Sequence, residues 1–565
     1  MKLRTRTIGG LIRSIATAEV IGAALLVGAA LAGTRSVAFA VTCESLMTAS
    51  LPNVTITGAE SIPAGTYQPP GSATAFTDLP AFCRVTAVVS PAADSSIGIE
   101  VWLPTTTWNG RYLQVGNHGW GGFIQWGEMA PQLRLGFATG ATDDGHINTT
   151  TNPFDVSWAF GHPAKIDDFA WRAVHELAEN AKLLIVDYYG TPQHTAYFNG
   201  CSDGGREGLR EAHDFPYDFN GVLVGGVASY RTHAATEQLV VSINLKNSGI
   251  EDAAGEAILG LTQNAATAAC DANDGVVDGL INDPPLCFWN PYALVCKKGQ
   301  DPTTCITLPQ AGAVLANVVP LLDPVTHRWV FSGMSRGSEF DQIRFGYEEG
   351  LAPFGVSAYQ VAFNDPTWDG STFSLHDDLP TLDRVLGVTN LTDPNLRPFE
   401  TAGGKLIQWH GWDDAAFTPG WETLYYQGVV DEVGHGNLNR VQDFYRLFML
   451  PGVGHCGTGI GPDDIGAENQ TPVSTDPEHD AVTALLNWVE DGIAPDKFIA
   501  TKFNAVDVPS SGIQMQRPIC PYPAQAVYDG SGDTNDASNF YCQESFGWPF
   551  GGPFGNPFGG FFGGH

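Results

Sequence analysis

Apolar runs bounded by Gly and Pro recur along the chain: "IGIEVWLP" (97–104), "RYLQVG" (111–116), "TAYFNG" (195–200), "GVLVGGVA" (221–228), "GKLIQWHG" (404–411) and "RLFMLPG" (446–452). Continuous or alternating apolar stretches of this length predict strands. Between them, "DDFAWRAVHELAENAKLLIVDYY" (167–189) and "DPEHDAVTALLNWVEDGI" (476–493) repeat apolar residues at three- and four-residue spacing, the second after an acidic first turn. Both patterns predict amphipathic helices. Strands alternating with helices predict an α/β fold, with a mostly parallel sheet covered on both faces.

The rhythm changes from about 231 to 395, where loops rich in Cys, Pro, Asn and Asp replace it, and strand–helix alternation returns only at Gly403. The expected organisation is therefore a catalytic domain made of residues 41–230 and 396–545, interrupted by an inserted lid domain, 231–395. The chain ends in "FGWPFGGPFGNPFGGFFGGH" (546–565). That Phe/Gly/Pro composition cannot form a packed core and predicts disorder. No internal repeat is visible.

The N-terminus changes the picture. Lys2, Arg4, Arg6 and Arg13 precede an apolar run, "VIGAALLVGAALA" (20–32), and then "AFA" (38–40). This is the pattern of a secretory signal with a small-residue cleavage site, and the run is too short to span a membrane. Residues 1–40 are expected to be removed, leaving a soluble extracellular or periplasmic chain. In an oxidising compartment the ten cysteines are expected to pair. The net charge of −33 includes an excess of four positive charges in the signal, so the remainder is near −37. Such acidity excludes nucleic acid as a partner.

"YFNGCSDGGREGL" (197–209) follows a predicted strand and fits the G-x-S-x-G nucleophile elbow around Ser202. That fold demands an acid and then a histidine at later strand ends. "QWHGWDD" places Asp413 and Asp414 past one strand, and "PGVGHCG" places His455 past the next. The order Ser, Asp, His is that of the α/β hydrolases. A hydroxyl is a poor nucleophile at neutral pH, so His455 would take its proton and a buried carboxylate would fix the imidazole tautomer. The oxyanion is expected to meet the N–H of Asp203 and an N–H from the glycine-rich loop "VGNHGWGG" (115–122), that of Gly119 being favoured. If Ser202 and His455 meet, their neighbours Cys201 and Cys456 come within disulfide reach, which predicts a bond pinning the base loop to the elbow.

These stretches, with "FATGATDDGH" (137–146), "DDFAWRAVHE" (167–176), "CDANDGVVDGLINDPPLC" (270–287) and "FYRLFMLPGVGHCGTGIGP" (444–462), resemble the tannase and feruloyl esterase family. That family of α/β hydrolases also includes mono(2-hydroxyethyl) terephthalate hydrolase. The resemblance implies Ser202 as nucleophile, His455 as base and Asp414, the second of the paired acids, as the orienting carboxylate. It also implies a structural Ca²⁺ in the lid, held by Asp271, Asp274 and Asp278 with the backbone carbonyls of Val276 and Leu280. The remaining cysteines would pair as Cys43 with Cys83, Cys270 with Cys287, Cys296 with Cys305 and Cys520 with Cys542. His118 interrupts the family's usual glycine run, Asp413 stands where alanine is frequent, and Asp203 replaces a common threonine.

The expected activity is that of a secreted serine carboxylesterase acting on small aromatic esters or on esters of plant polyphenols and polysaccharides. Hydroxycinnamoyl esters such as feruloyl come first, with galloyl esters and terephthalate half-esters as alternatives. A different class, an inactive calcium-stabilised secreted binding protein, is opposed by the complete set of triad residues. The oligomeric state is not encoded in any pattern found.

Overall fold

Nine strands pair into one sheet: β1 Val54–Ile62, β2 Phe82–Val89, β3 Ile97–Pro104, β4 Arg111–Val115, β5 Ala138–Thr142, β6 Thr195–Cys201, β7 Gly221–Gly225, β8 Lys405–Gly411 and β9 Tyr445–Leu450. The computed structural model describes residues 41–148, 150, 152–340, 350–468 and 470–544. The expected signal (1–40) and the tail (546–565) lie outside the described residues.

The strand order is β1-β2-β3-β5-β4-β6-β7-β8-β9. From β5 to β9 every pairing is parallel, whereas β1, β2 and β3 join the edge antiparallel. The parallel strands read as near-continuous apolar runs because both faces are covered. Successive residues feed opposite cores: Val222, Val224 and Leu406 enter one, and Leu223, Ile407 and Trp409 the other. Three strands, β1, β2 and β5, were not expected. The expected strand 221–228 stops at Gly225, because Gly226 takes φ 47° and turns the chain out of the sheet.

The helix expected over 167–189 is regular only as α1, Ala173–Tyr189. Residues Asp168–Arg172 form a wider π turn, and the carbonyls of Phe169 and Ala170 accept from the Arg206 guanidinium at 3.0 and 2.5 Å. The widened turn thus coincides with an arginine inserted against the backbone. The helix expected over 476–493 begins later, as Ala481–Asp491. Its acidic residues precede it, and the Asp480 carboxylate caps it by accepting from the N–H groups of Val482 and Thr483. Helix α2, Asp203–Asp214, starts directly after β6.

Among the described residues, the insertion sends no strand to the large sheet. It is far more helical than its composition suggests, with α3 Arg231–Asn247, α4 Asp252–Cys270, α5 Leu308–Asn317, α6 Pro353–Phe363 and α7 Leu375–Leu386. Ala234 and Leu239 of α3 and Phe354 and Tyr359 of α6 share one apolar core with Val101 and Leu406 of the sheet and Leu177 of α1. Five disulfides join Cys43–Cys83, Cys201–Cys456, Cys270–Cys287, Cys296–Cys305 and Cys520–Cys542, which uses every cysteine of the chain. Among the described residues no helix is long and apolar enough to cross a membrane.

Candidate active site

Ser202 sits between β6 and α2 with φ 65° and ψ −122°, a conformation an L residue adopts only when its surroundings impose it. The surroundings are backbone packed on backbone. A Cβ on Gly200 would lie 2.9 Å from the Gly204 carbonyl carbon, and one on Gly204 would lie 3.0 Å from the Asn117 carbonyl oxygen. The glycines two residues to each side of the serine therefore allow strand, helix and the 115–122 loop to meet. The Ser202 N–H donates to the Gly225 carbonyl at 3.0 Å and fixes the elbow to β7.

His455 reaches the elbow from the loop after β9. Its Nε2 is 2.9 Å from Ser202 Oγ and its Nδ1 is 2.8 Å from Asp414 Oδ2. Asp414 Oδ1 accepts from the N–H groups of Ala416 and Phe417 at 2.8 and 2.9 Å. Burial pushes the Asp414 carboxyl up, but the charge and hydrogen bond of His455, the charge of His410 and the Phe417 amide outweigh it, leaving Asp414 below its ordinary value. The neighbouring Asp413 gives its own N–H to the Val453 carbonyl at 2.9 Å.

Cys201 and Cys456 are bonded, with Cα atoms 6.0 Å apart. Gly226 lies beneath them: a Cβ there would be 3.0 Å from Cys201 Sγ and 3.2 Å from His455 Cε1. The Asp203 N–H heads α2 and so has no carbonyl four residues back within the helix. Gly119 has φ 61°, and its loop is tied to the elbow by Gly204 N–H donating to the Asn117 carbonyl at 2.7 Å.

Three contributors were missed in the sequence. His410 Nε2 donates to the Phe417 carbonyl at 2.7 Å and lies 3.3 Å from Asp414 Oδ2. Burial pushes this imidazole down, against the pull of the Asp414 carboxylate and the Phe417 carbonyl beside it. The i, i+4 spacing of His410 and Asp414 was the available signal. Glu468 accepts from the Cys201 N–H at 3.3 Å and lies 3.1 Å from His118 Nε2. Burial opposes charge on His118, but Glu468 and Glu128 override it and hold the imidazole well above its ordinary value. The histidine that interrupts the glycine loop thus pairs with an acid that also holds the Cys201 amide of the elbow. Arg231 is the third: its Nη1 lies 2.6 Å from Asp203 Oδ1.

Asp271, Asp274 and Asp278 lie in the loop closed by Cys270–Cys287. Asp271 accepts from the amides of Asp278 and Gly279, Asp274 from that of Val276, and Asp278 from that of Leu280, at 2.9 to 3.1 Å. Burial first, and then neighbouring carboxylates, push Asp274 and Asp278 up, even though Arg517 Nη2 lies 2.5 Å from Asp278 Oδ2. Hard oxygen donors with negative charge in excess fit the chemistry of Ca²⁺. The side-chain groups that converge within 4.8 Å among the described residues lie elsewhere, so a cation here would also need backbone oxygens such as those of Val276 and Leu280.

The sequence model of the family described as tannase and feruloyl esterase matches residues 83–322 and 352–543. The chain belongs to the tannase and feruloyl esterase family. Members are carboxylic ester hydrolases, and this chain is an esterase of that family. Its relatives include an uncharacterized esterase from Xanthomonas campestris, 35% identical, with 89% of this chain and 91% of the relative covered. A probable feruloyl esterase B-2 from Aspergillus terreus is 32% identical, covering 90% of this chain and 96% of the relative. Among solved structures, feruloyl esterase B from Aspergillus oryzae superposes with a TM-score of 0.79 at 29% identity, covering 89% of this chain and 99% of that one. A tannin acyl hydrolase from Aspergillus niger shares the fold, with a TM-score of 0.67 at 21% identity, over 87% of this chain and 92% of that one.

Proposed function

We propose that this tannase and feruloyl esterase family member is a secreted serine esterase that cleaves esters of hydroxycinnamic acids such as ferulic acid through an acyl-enzyme. The observation that carries the mechanism is the unbroken line Ser202 Oγ, His455 Nε2, His455 Nδ1, Asp414 Oδ2, with spacings of 2.9 and 2.8 Å. Ser202 Oγ attacks the ester carbonyl as His455 Nε2 takes its proton, and Asp414 stabilises the imidazolium. The N–H groups of Asp203 and Gly119 receive the oxyanion. His455 then returns the proton to the leaving alcohol oxygen. A water activated by the same histidine attacks the acyl-serine and restores the enzyme.

Relatives at 29–32% identity carrying feruloyl esterase names favour a hydroxycinnamoyl substrate over a galloyl one. Five disulfides with no free cysteine support an oxidising destination. We read the acidic loop as a structural Ca²⁺ site. The test compares methyl ferulate, methyl gallate and a terephthalate half-ester side by side, with a fluorophosphonate probe of the serine. Fastest turnover of methyl ferulate and labelling that disappears in Ser202→Ala are expected. Undiminished labelling or activity in Ser202→Ala would overturn the mechanism, and faster turnover of gallate or terephthalate would overturn the substrate.

A further inference from the structure

Arg231 is the first residue of the insertion's first helix, yet it is almost completely buried, at 2% exposure. Two nitrogens of its guanidinium reach two different walls of the active site. Nη1 lies 2.6 Å from Asp203 Oδ1, and Nη2 donates to the Gly119 carbonyl at 2.5 Å. Asp203 and Gly119 are the residues whose amides are assigned to the oxyanion, one on the elbow and one on the loop after β4. The side-chain carboxylate of the first and the carbonyl of the second serve as handles for the arginine.

We propose that Arg231 is a positioning residue that sets the separation of the two oxyanion donors and makes it depend on how the insertion is seated. The inference rests on the serine esterase reading of this site. A planar guanidinium presents its N–H groups at fixed spacing and fixed angles, which a flexible ammonium does not. The plane itself is held by aromatic rings from three segments: Trp120 at 4.2 Å, Phe354 at 4.8 Å and Phe169 at 4.9 Å from Cζ. Trp120 follows Gly119 directly, Phe354 belongs to α6 of the insertion, and Phe169 lies in the π turn. A shift of the insertion therefore moves the fork, and the fork moves both donors. Asp203 keeps a second partner in Arg206, at 2.7 and 3.0 Å, so its carboxylate remains paired when Arg231 is replaced.

The test uses the full secreted chain and the variants Arg231→Met, Arg231→Lys and Asp203→Asn, with methyl ferulate and its thionoester as paired substrates. The thionoester develops its charge on sulfur, a weaker hydrogen-bond acceptor, and so draws less on the donors. Arg231→Met is expected to lower kcat for the oxygen ester by roughly 10- to 100-fold, with KM within about threefold, and to reduce the oxygen-to-sulfur rate ratio about tenfold. Arg231→Lys keeps the charge without the fork and falls between. A merely structural role would scale both substrates together and leave the ratio unchanged; that result in folded Arg231→Met overturns the proposal. Should Arg231→Met fail to fold, Arg231→Lys decides, since it keeps the charge while losing the fork: a reduced ratio supports the proposal and a wild-type ratio overturns it, and Asp203→Asn, which weakens the pairs to Arg206 and Arg231 together, is expected to reduce the ratio as well. Absence of Ser202-dependent hydrolysis in the wild type would overturn the serine esterase reading first, and this inference with it.

Discussion

Cys201 and Cys456 are joined across 255 positions of sequence, and each adjoins one member of the Ser202–His455 hydrogen bond. The bond closes the serine and histidine segments onto each other independently of the rest of the fold. Replacing both cysteines with alanine is expected to lower kcat by tenfold or more, because a displacement of about 1 Å between the His455 imidazole and Ser202 Oγ can cost about 100-fold. Thermal stability should also fall, since a long closed loop contributes a few kcal/mol through the unfolded chain. Kinetics and thermal melts on the double variant check both, and wild-type kcat in a folded variant of lowered melting temperature would contradict the first.

Asp414→Asn should reduce kcat by three to four orders of magnitude, because the amide can hold the wrong imidazole tautomer toward Ser202. Asp413→Asn should change kcat by less than about tenfold, because it is Asp414 Oδ2 that accepts from His455 Nδ1. Steady-state rates with one ester settle the ranking, and the reverse order would reassign the acid.

Chelation is expected to lower the melting temperature, and added Ca²⁺ to restore it, because a ligand bound only by the folded state stabilises it by mass action. Asp274→Asn should abolish the response. Metal analysis of the purified chain gives an independent reading, and a melting curve indifferent to chelator would leave the loop an acidic turn.

Glu237 is buried on α3, its carboxyl oxygens 2.8 Å from the Gly333 N–H and 3.0 Å from Thr418 Oγ1, and burial pushes its pKa up to about 8. The folded state therefore holds a proton that the unfolded chain has lost above its ordinary value of 4.5. With more protons bound in the folded state, stability falls as pH rises, the contribution being present below 4.5 and lost between there and about 8. Glu237→Gln should flatten that part of the stability profile, measured by denaturant unfolding at pH 5 and pH 8. An unchanged slope would show that the proton is not held there.

Much of the site was legible because its residues sit where strands end, and strand ends are marked by glycine. Ser202, Asp414 and His455 each follow such an end, and Cys201 and Cys456 were found by their adjacency to two of them. The helices of the insertion were hidden for a specific reason. Helix α3 buries Arg231, Thr232, His233, Thr236, Glu237, Gln238 and Ser242, so polar residues occupy the inward positions and erase the 3.6-residue apolar period. Strand β5, "ATGAT", is too small and polar to register, although all five residues are buried. Contacts made between distant segments, such as Glu468 with the Cys201 amide, leave no local pattern at all.

The shared core has a consequence for chimeras. Phe354 of the insertion packs on Trp120 at 5.4 Å and on Phe417 at 5.7 Å, and Phe417 in turn lies 5.3 Å from the His455 ring. Arg231 adds Phe169 to the same group. A relative's 231–395 segment grafted onto this sheet would exchange half of a jigsaw whose other half includes Phe417, the ring beside His455. Trp120, Phe169 and Phe417 must travel with any such graft.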